Sequence, residues 1–109
     1  MLFDLTLIGG VTEEGAAAVG AEVWLEERNW SPGMVHGQGQ TDASGAYQLD
    51  ATALPIVEGC WGWATGFFLV ARLGEATAEL PLNSKIISAW LDGATEAEVE
   101  VLQLKPEAR

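Results

Sequence analysis

Hydrophobic and polar residues alternate with a period of two along most of this chain, the spacing that sets one face of a β-strand on a core and the other in water. Ala21, Val23 and Leu25 fall on one side and Glu22, Trp24 and Glu26 on the other, which predicts a strand over residues 21–28. Phe3, Leu5 and Leu7 alternate with Leu2, Asp4, Thr6 and Ile8, giving a first strand that Gly9 and Gly10 break or bulge. Residues 66–73 read as a central strand that turns at Gly74 into a partner, with Ala76, Ala78 and Leu80 set against Glu75, Thr77 and Glu79. Residues 98–104 read as the last strand. Residues 85–91 match both periods, because Ile86, Ile87, Trp90 and Leu91 also have helical spacing, and their β-branched content favours strand.

The breaks between these runs have turn chemistry. In Gln40-Thr41-Asp42-Ala43-Ser44-Gly45-Ala46-Tyr47-Gln48-Leu49-Asp50, Asp42 and Ser44 supply side-chain acceptors for a tight turn and Gly45 tolerates positive φ. Tyr47 and Leu49 then alternate onto one face, so the segment predicts a β-hairpin whose first arm is the glycine-rich strand over residues 34–41. Pro32-Gly33 ends another turn, and residues 52–65, with Pro55, Gly59 and Gly62, form the least regular stretch. Seven or eight short strands at this spacing predict an all-β, Greek-key β-sandwich. Its single domain spans residues 1–104, with a short tail over 105–109, and Val23, Leu25, Tyr47, Leu49, Leu69 and Val101 are the predicted core.

Three segments carry a family resemblance: Gly9-Gly10-Val11, Gly20-Ala21-Glu22-Val23-Trp24-Leu25 and Thr41-Asp42-Ala43-Ser44-Gly45-Ala46-Tyr47. Together they resemble carboxypeptidase regulatory-like domains, which have the transthyretin-like, or prealbumin-like, sandwich fold. The match covers roughly the first half of the chain; Gly66-Phe67 stands where that family has a Gly-aromatic step, while the stretch before it and the second half depart from the pattern. The resemblance implies an accessory, adhesion or assembly domain and no catalysis. Transthyretin-related hydrolases use several histidines and a C-terminal Tyr-Arg-Gly-Ser, and this chain has one histidine and no such sequence.

Composition narrows the partners. Sixteen Asp and Glu against five Lys and Arg give a formal net charge of -11 over 109 residues, a field that repels phosphate backbones and anionic headgroups. Nucleic-acid and membrane-surface binding are therefore excluded as expectations. Cys60 is the single cysteine, so no intrachain disulfide forms, and its apolar neighbours Ile56, Val57 and Trp61 point to an inert buried thiol. The first residues lack the basic region of a signal peptide, and no apolar run reaches membrane-span length. A soluble protein of open compartment is expected, with a virion as one setting.

No catalytic, cofactor or metal site is expected from the inventory of chemical groups. His36 has no second His or Cys nearby. Asp42, Ser44 and Asp50 lack calcium-loop spacing and are explained by turn hydrogen bonds. The glycines between Gly33 and Gly39 lack the Lys-Ser/Thr of a phosphate cradle, and Glu96, Glu98 and Glu100 read as a solvated strand face.

Five tryptophans exceed what a sandwich core of this size requires. Trp24 is out of phase with Val23 and Leu25, and Trp30, Trp61 and Trp63 fall in turns or the long loop. Large rings there either close the open ends of the sandwich or serve recognition. The resulting expectation is a non-enzymatic module with a protein partner or self-association, a repeated or accessory subunit such as a virion decoration or tail protein. The alternative is a carbohydrate-binding module, with Gln38, Gln40 or Asn29 placed for sugar hydroxyls.

Overall fold

The computed structural model describes residues 2–28, 34–55 and 66–106. In chain order these form β1 (Leu2–Glu13), β2 (Ala16–Ala17), β3 (Glu22–Glu27), β4 (Met34–Gln40), β5 (Ala46–Pro55), β6 (Phe67–Leu73), β7 (Ala76–Pro81), α1 (Asn83–Asp92), β8 (Glu96–Glu98) and β9 (Leu102–Leu104). The protein is an all-β sandwich. One sheet has the order β4-β3-β6-β7 and is antiparallel throughout. The other is built on β1, which pairs antiparallel with β5 and β2 and parallel with β8 and β9.

The period-two pattern explains the core. Leu5, Leu7 and Val11 of β1 and Tyr47, Leu49 and Ala51 of β5 face Val23 and Leu25 of β3 and Phe67, Leu69 and Ala71 of β6, all buried. Each fully buried large apolar side chain contributes roughly 1.5–3 kcal/mol of transfer free energy. Val99, Leu102 and Leu104 close one side, while Ile86 and Ala89 of α1 cover an end.

Several expectations are corrected. The turn at Asp42 forms as predicted, with Gly45 at φ 79° and its N–H donating to Asp42 O at 2.9 Å, but it does not close a hairpin. β4 pairs with β3 and β5 with β1, so the turn carries the chain from one sheet to the other. The two strands then cross so closely that a Cβ on Gly37 would collide with the Asp50 carbonyl oxygen.

Residues 85–91 lie in a helix, not a strand. Helical spacing buries Ile86 and Ala89 against the core, and this outweighs the strand preference of two adjacent isoleucines. Gly93 ends α1 at φ 71°, its N–H directed at the last carbonyls.

Val101 is 56% exposed, not core. The last strand is split into β8 and β9, and the break between them shifts the inward phase from Ala97 and Val99 to Leu102 and Leu104. Lys105, expected in the tail, is paired with Thr77 of β7. β1 also runs unbroken through Gly9 and Gly10; its register shift lies between Phe3 and Leu5.

Candidate functional site

The outward positions of the β4-β3-β6-β7 sheet form three cross-strand rows. Strand registers place Val35, Glu26, Phe68 and Pro81 in one, Gln38, Trp24, Val70 and Glu79 in the next, and Gln40, Glu22, Arg72 and Thr77 in the third. The same alternation that sends Val23 and Leu25 inward thus sends Trp24 outward, where it is half-buried. Beside it, β6 places Phe68 and Val70 on the outer surface, and Val70 is nevertheless only 5% exposed. Its neighbours cover it.

Two arginines lie over the neighbouring rings. The Arg28 guanidinium stands 4.4 Å from the Phe68 ring centroid and Arg72 stands 5.6 Å from that of Trp24, both in cation–π range. Each is held by carboxylates on the same face. Arg28 Nη1 and Nη2 donate to Glu79 Oε1 and Oε2 at 3.0 and 2.8 Å, a bidentate pair, and Arg28 Nε donates to Glu26. Arg72 Nη2 donates to Glu22 Oε2 at 3.0 Å, and Trp24 Nε1 donates to Glu26 Oε1 at 3.4 Å. The Arg28 hydrogen bonds hold the Glu79 carboxyl below its ordinary range. Hydrogen bonds to Glu79 and then Glu26 hold Arg28 still more firmly protonated than usual.

This face therefore carries three carboxylates against two guanidiniums, close to neutrality in a chain whose net charge is -11. A shallow depression of about 360 Å³ adjoins Trp24, lined by Glu22, Gln38, Gly39 and Gln40.

Of the four tryptophans expected at an interface, Trp24 is on this face; Trp30, Trp61 and Trp63 lie outside the described residues, as does Cys60. Sequence reasoning missed the arginines and Phe68. The signal was present in residues 67–71, where consecutive apolar side chains before Arg72 indicate a strand covered on both faces.

No family model matches the chain, and no curated protein matches it. Among solved structures, an alternative pilotin from the type II secretion system of Vibrio cholerae is similar, with a TM-score of 0.55 and 9% identity. The likeness covers 96% of this chain and 100% of the pilotin. The two share a fold.

His36 has a structural setting. It is the extra residue of a bulge in β4, since Leu25 opposes Gly37 while Glu26 opposes Val35. The bulge turns its ring inward. There Nε2 lies 2.8 Å from Glu27 Oε1 and Nδ1 lies 3.3 Å from the Thr52 carbonyl oxygen, with Phe67 at its edge. Both partners of the His36–Glu27 pair are more than nine-tenths buried.

Asp42 is similarly accounted for. Its Oδ1 accepts from Ser44 Oγ at 2.7 Å, Ser44 N at 2.8 Å and Ala46 N at 3.0 Å, which hold its carboxyl below the ordinary range. Among the described residues, no group of three His, Cys, Asp or Glu side chains is placed to hold a metal ion. No described helix is long and apolar enough to cross a membrane.

Proposed function

We propose that this chain is a non-enzymatic protein-interaction module, an accessory subunit of a larger assembly, that docks its partner on the outer face of the β4-β3-β6-β7 sheet. The observation that carries this reading is the patch of Trp24, Phe68, Arg28 and Arg72, whose charges are matched locally while the rest of the chain is strongly acidic. Trp and Arg dominate the energetics of protein interfaces because they bury large, rigid area with directed donors. A near-neutral, aromatic face allows desolvation without stranding a lone charge.

The fold likeness to a pilotin, a protein of a type II secretion system, supports an accessory role. The resemblance of the first half to carboxypeptidase regulatory-like domains supports the same class of function. A repeated subunit, such as a virion decoration or tail protein, is the finer form of the proposal; copurification with assembled particles tests it. The absence of enzymatic activity is part of the proposal too, supported by His36, whose two ring nitrogens are both engaged within the fold.

The test is isolation of the tagged chain at native expression, wild type against Trp24→Ala, with both variants checked for folding by circular dichroism. A partner recovered in fixed ratio with wild type and lost with Trp24→Ala is expected, since truncating a hot-spot ring costs about 2 kcal/mol or more. A well-folded variant that retains the partner in the same ratio would contradict this docking face.

One observation favours a second reading, carbohydrate binding: Gln38 and Gln40 flank the Trp24 depression, where amides would meet sugar hydroxyls. A glycan array decides it. Binding lost in Trp24→Ala, from a wild type without protein partner, would replace the first reading by the second.

A further inference from the structure

On the side of the sandwich away from the Asp42 turn, β7 and β9 meet at a single bridge. Thr77 and Lys105 exchange two backbone hydrogen bonds of 3.0 Å each, and β7 and β9 stay side by side beyond them. Among the described residues no further backbone hydrogen bond joins the two strands, whose ladders are formed with β6 and β1. The C-terminal end of β7, where Leu80 and Pro81 face Val99 and Glu100 across open space, therefore presents an unpaired edge.

Between this edge and α1 lies a groove of about 660 Å³. Leu80, Leu82, Ala89, Ala97 and Val99 form its apolar part. Leu80 also lines an adjoining hollow of about 590 Å³ that follows the seam toward Val101 and Lys105. The groove and hollow together follow the seam, a shape suited to an extended chain.

The rim is mainly acidic. Asp92, Glu96, Glu98 and Glu100 are exposed along it, and none has an ion-pair partner among the described residues. Among the described residues Lys85 is the one cation lining the groove, and its Nζ is directed to the Glu98 carbonyl oxygen at 2.7 Å. A second copy of this chain would bring another -11 to the same place, so self-association is opposed here. A cationic partner is favoured.

We propose that this groove docks an extended, lysine- or arginine-bearing segment of a partner protein. The segment adds backbone hydrogen bonds to the unpaired end of β7, sets small apolar side chains on Leu80, Leu82 and Val99, and turns its basic side chains toward Asp92, Glu96, Glu98 and Glu100. The site shares the edge strand β7 with the Trp24 face, but the proposal does not depend on docking there.

Fluorescence anisotropy with a labelled Lys-Val-Lys-Val-Lys-Val-Lys peptide tests the proposal, with Glu-Val-Glu-Val-Glu-Val-Glu as the charge-reversed control. Two triple variants separate the groove from the general acidic field, because both remove three charges: Glu96→Gln, Glu98→Gln, Glu100→Gln, and, away from the seam, Glu14→Gln, Asp42→Asn, Asp50→Asn. The groove triple is expected to weaken the Lys-Val peptide at least tenfold and the remote triple less than twofold. Hydrogen exchange of the wild-type complex should show protection gained in residues 78–81. Equal losses in the two triples, no measurable binding of the Lys-Val peptide, or binding without protection at that edge would overturn the proposal.

Discussion

The outer face of the β4-β3-β6-β7 sheet and the groove beside α1 hold the same chemical group in opposite circumstances. On the sheet, Glu22, Glu26 and Glu79 are paired to arginines that also shield Trp24 and Phe68. In the groove, Asp92, Glu96, Glu98 and Glu100 form no ion pair among the described residues. Carboxylates paired within the fold leave a surface to be recognised by shape and aromatic area. Carboxylates left unpaired call for a countercharge from outside, and association there weakens steeply with salt. Two docking modes thus follow from where a few arginines fall on a very acidic chain.

The largest expected effect concerns the core beneath both regions. Leu25 is fully buried between the sheets, and Leu25→Ala should cost about 2–5 kcal/mol by chemical denaturation. A loss under about 1 kcal/mol would mean that the inward row behind the Trp24 face is not packed as described. Next comes the turn that hands the chain between sheets. Gly45 has φ 79° and its position is crowded by Val11 O and Ala17, so Gly45→Val should cost about 1–3 kcal/mol from backbone strain alone. A near-neutral result would remove the left-handed turn.

The comparison itself is broken or sharpened by two single neutralisations. Glu79→Gln should destabilise by up to about 1 kcal/mol, the worth of a surface ion pair, and less in high salt. Glu98→Gln should not destabilise. Glu79 is held below the ordinary carboxyl range when folded, so its contribution is present above the unfolded value and is lost as pH falls through the folded one. Part of the acid limb of stability should therefore vanish in Glu79→Gln and persist in Glu98→Gln. Identical acid limbs would erase the distinction between the regions.

Tyr47 gives the smallest effect and a third circumstance: a polar group buried with no partner. Its hydroxyl makes no hydrogen bond, and burial pushes its pKa up to about 12 from 10.0. Tyr47→Phe should be neutral or stabilising by up to about 1 kcal/mol near pH 7. Because the folded value is raised, the wild type keeps this stability below the ordinary phenol range and loses it as pH rises toward about 12. The Phe variant should lack that alkaline loss.

Strands with clean alternation were legible in the sequence, since a period of two leaves one way to bury Val23 and Leu25 or Leu5 and Leu7. The turn at Asp42 was legible too, from local hydrogen-bonding chemistry. What that chemistry does not carry is which sheet the next strand joins, a matter of distant pairing, so a hairpin was expected where the chain changes sheets. Residues 85–91 were ambiguous because β-branched preference and burial opposed each other, and burial won. Trp24 was legible as an outward residue by its phase. Its arginine cover was not, because Arg72 reaches it from β6, which only the register brings alongside.

The central claim, docking on the Trp24 face, is tested most directly by site-specific photo-crosslinking in the cells that make this protein. A photoreactive residue replacing exposed Gln38, opposite Trp24 in the sheet, should yield one defined adduct with a partner protein, while the same residue at exposed Ala16 of β2 should yield none. No adduct at Gln38, or equal adducts at both positions, would contradict it.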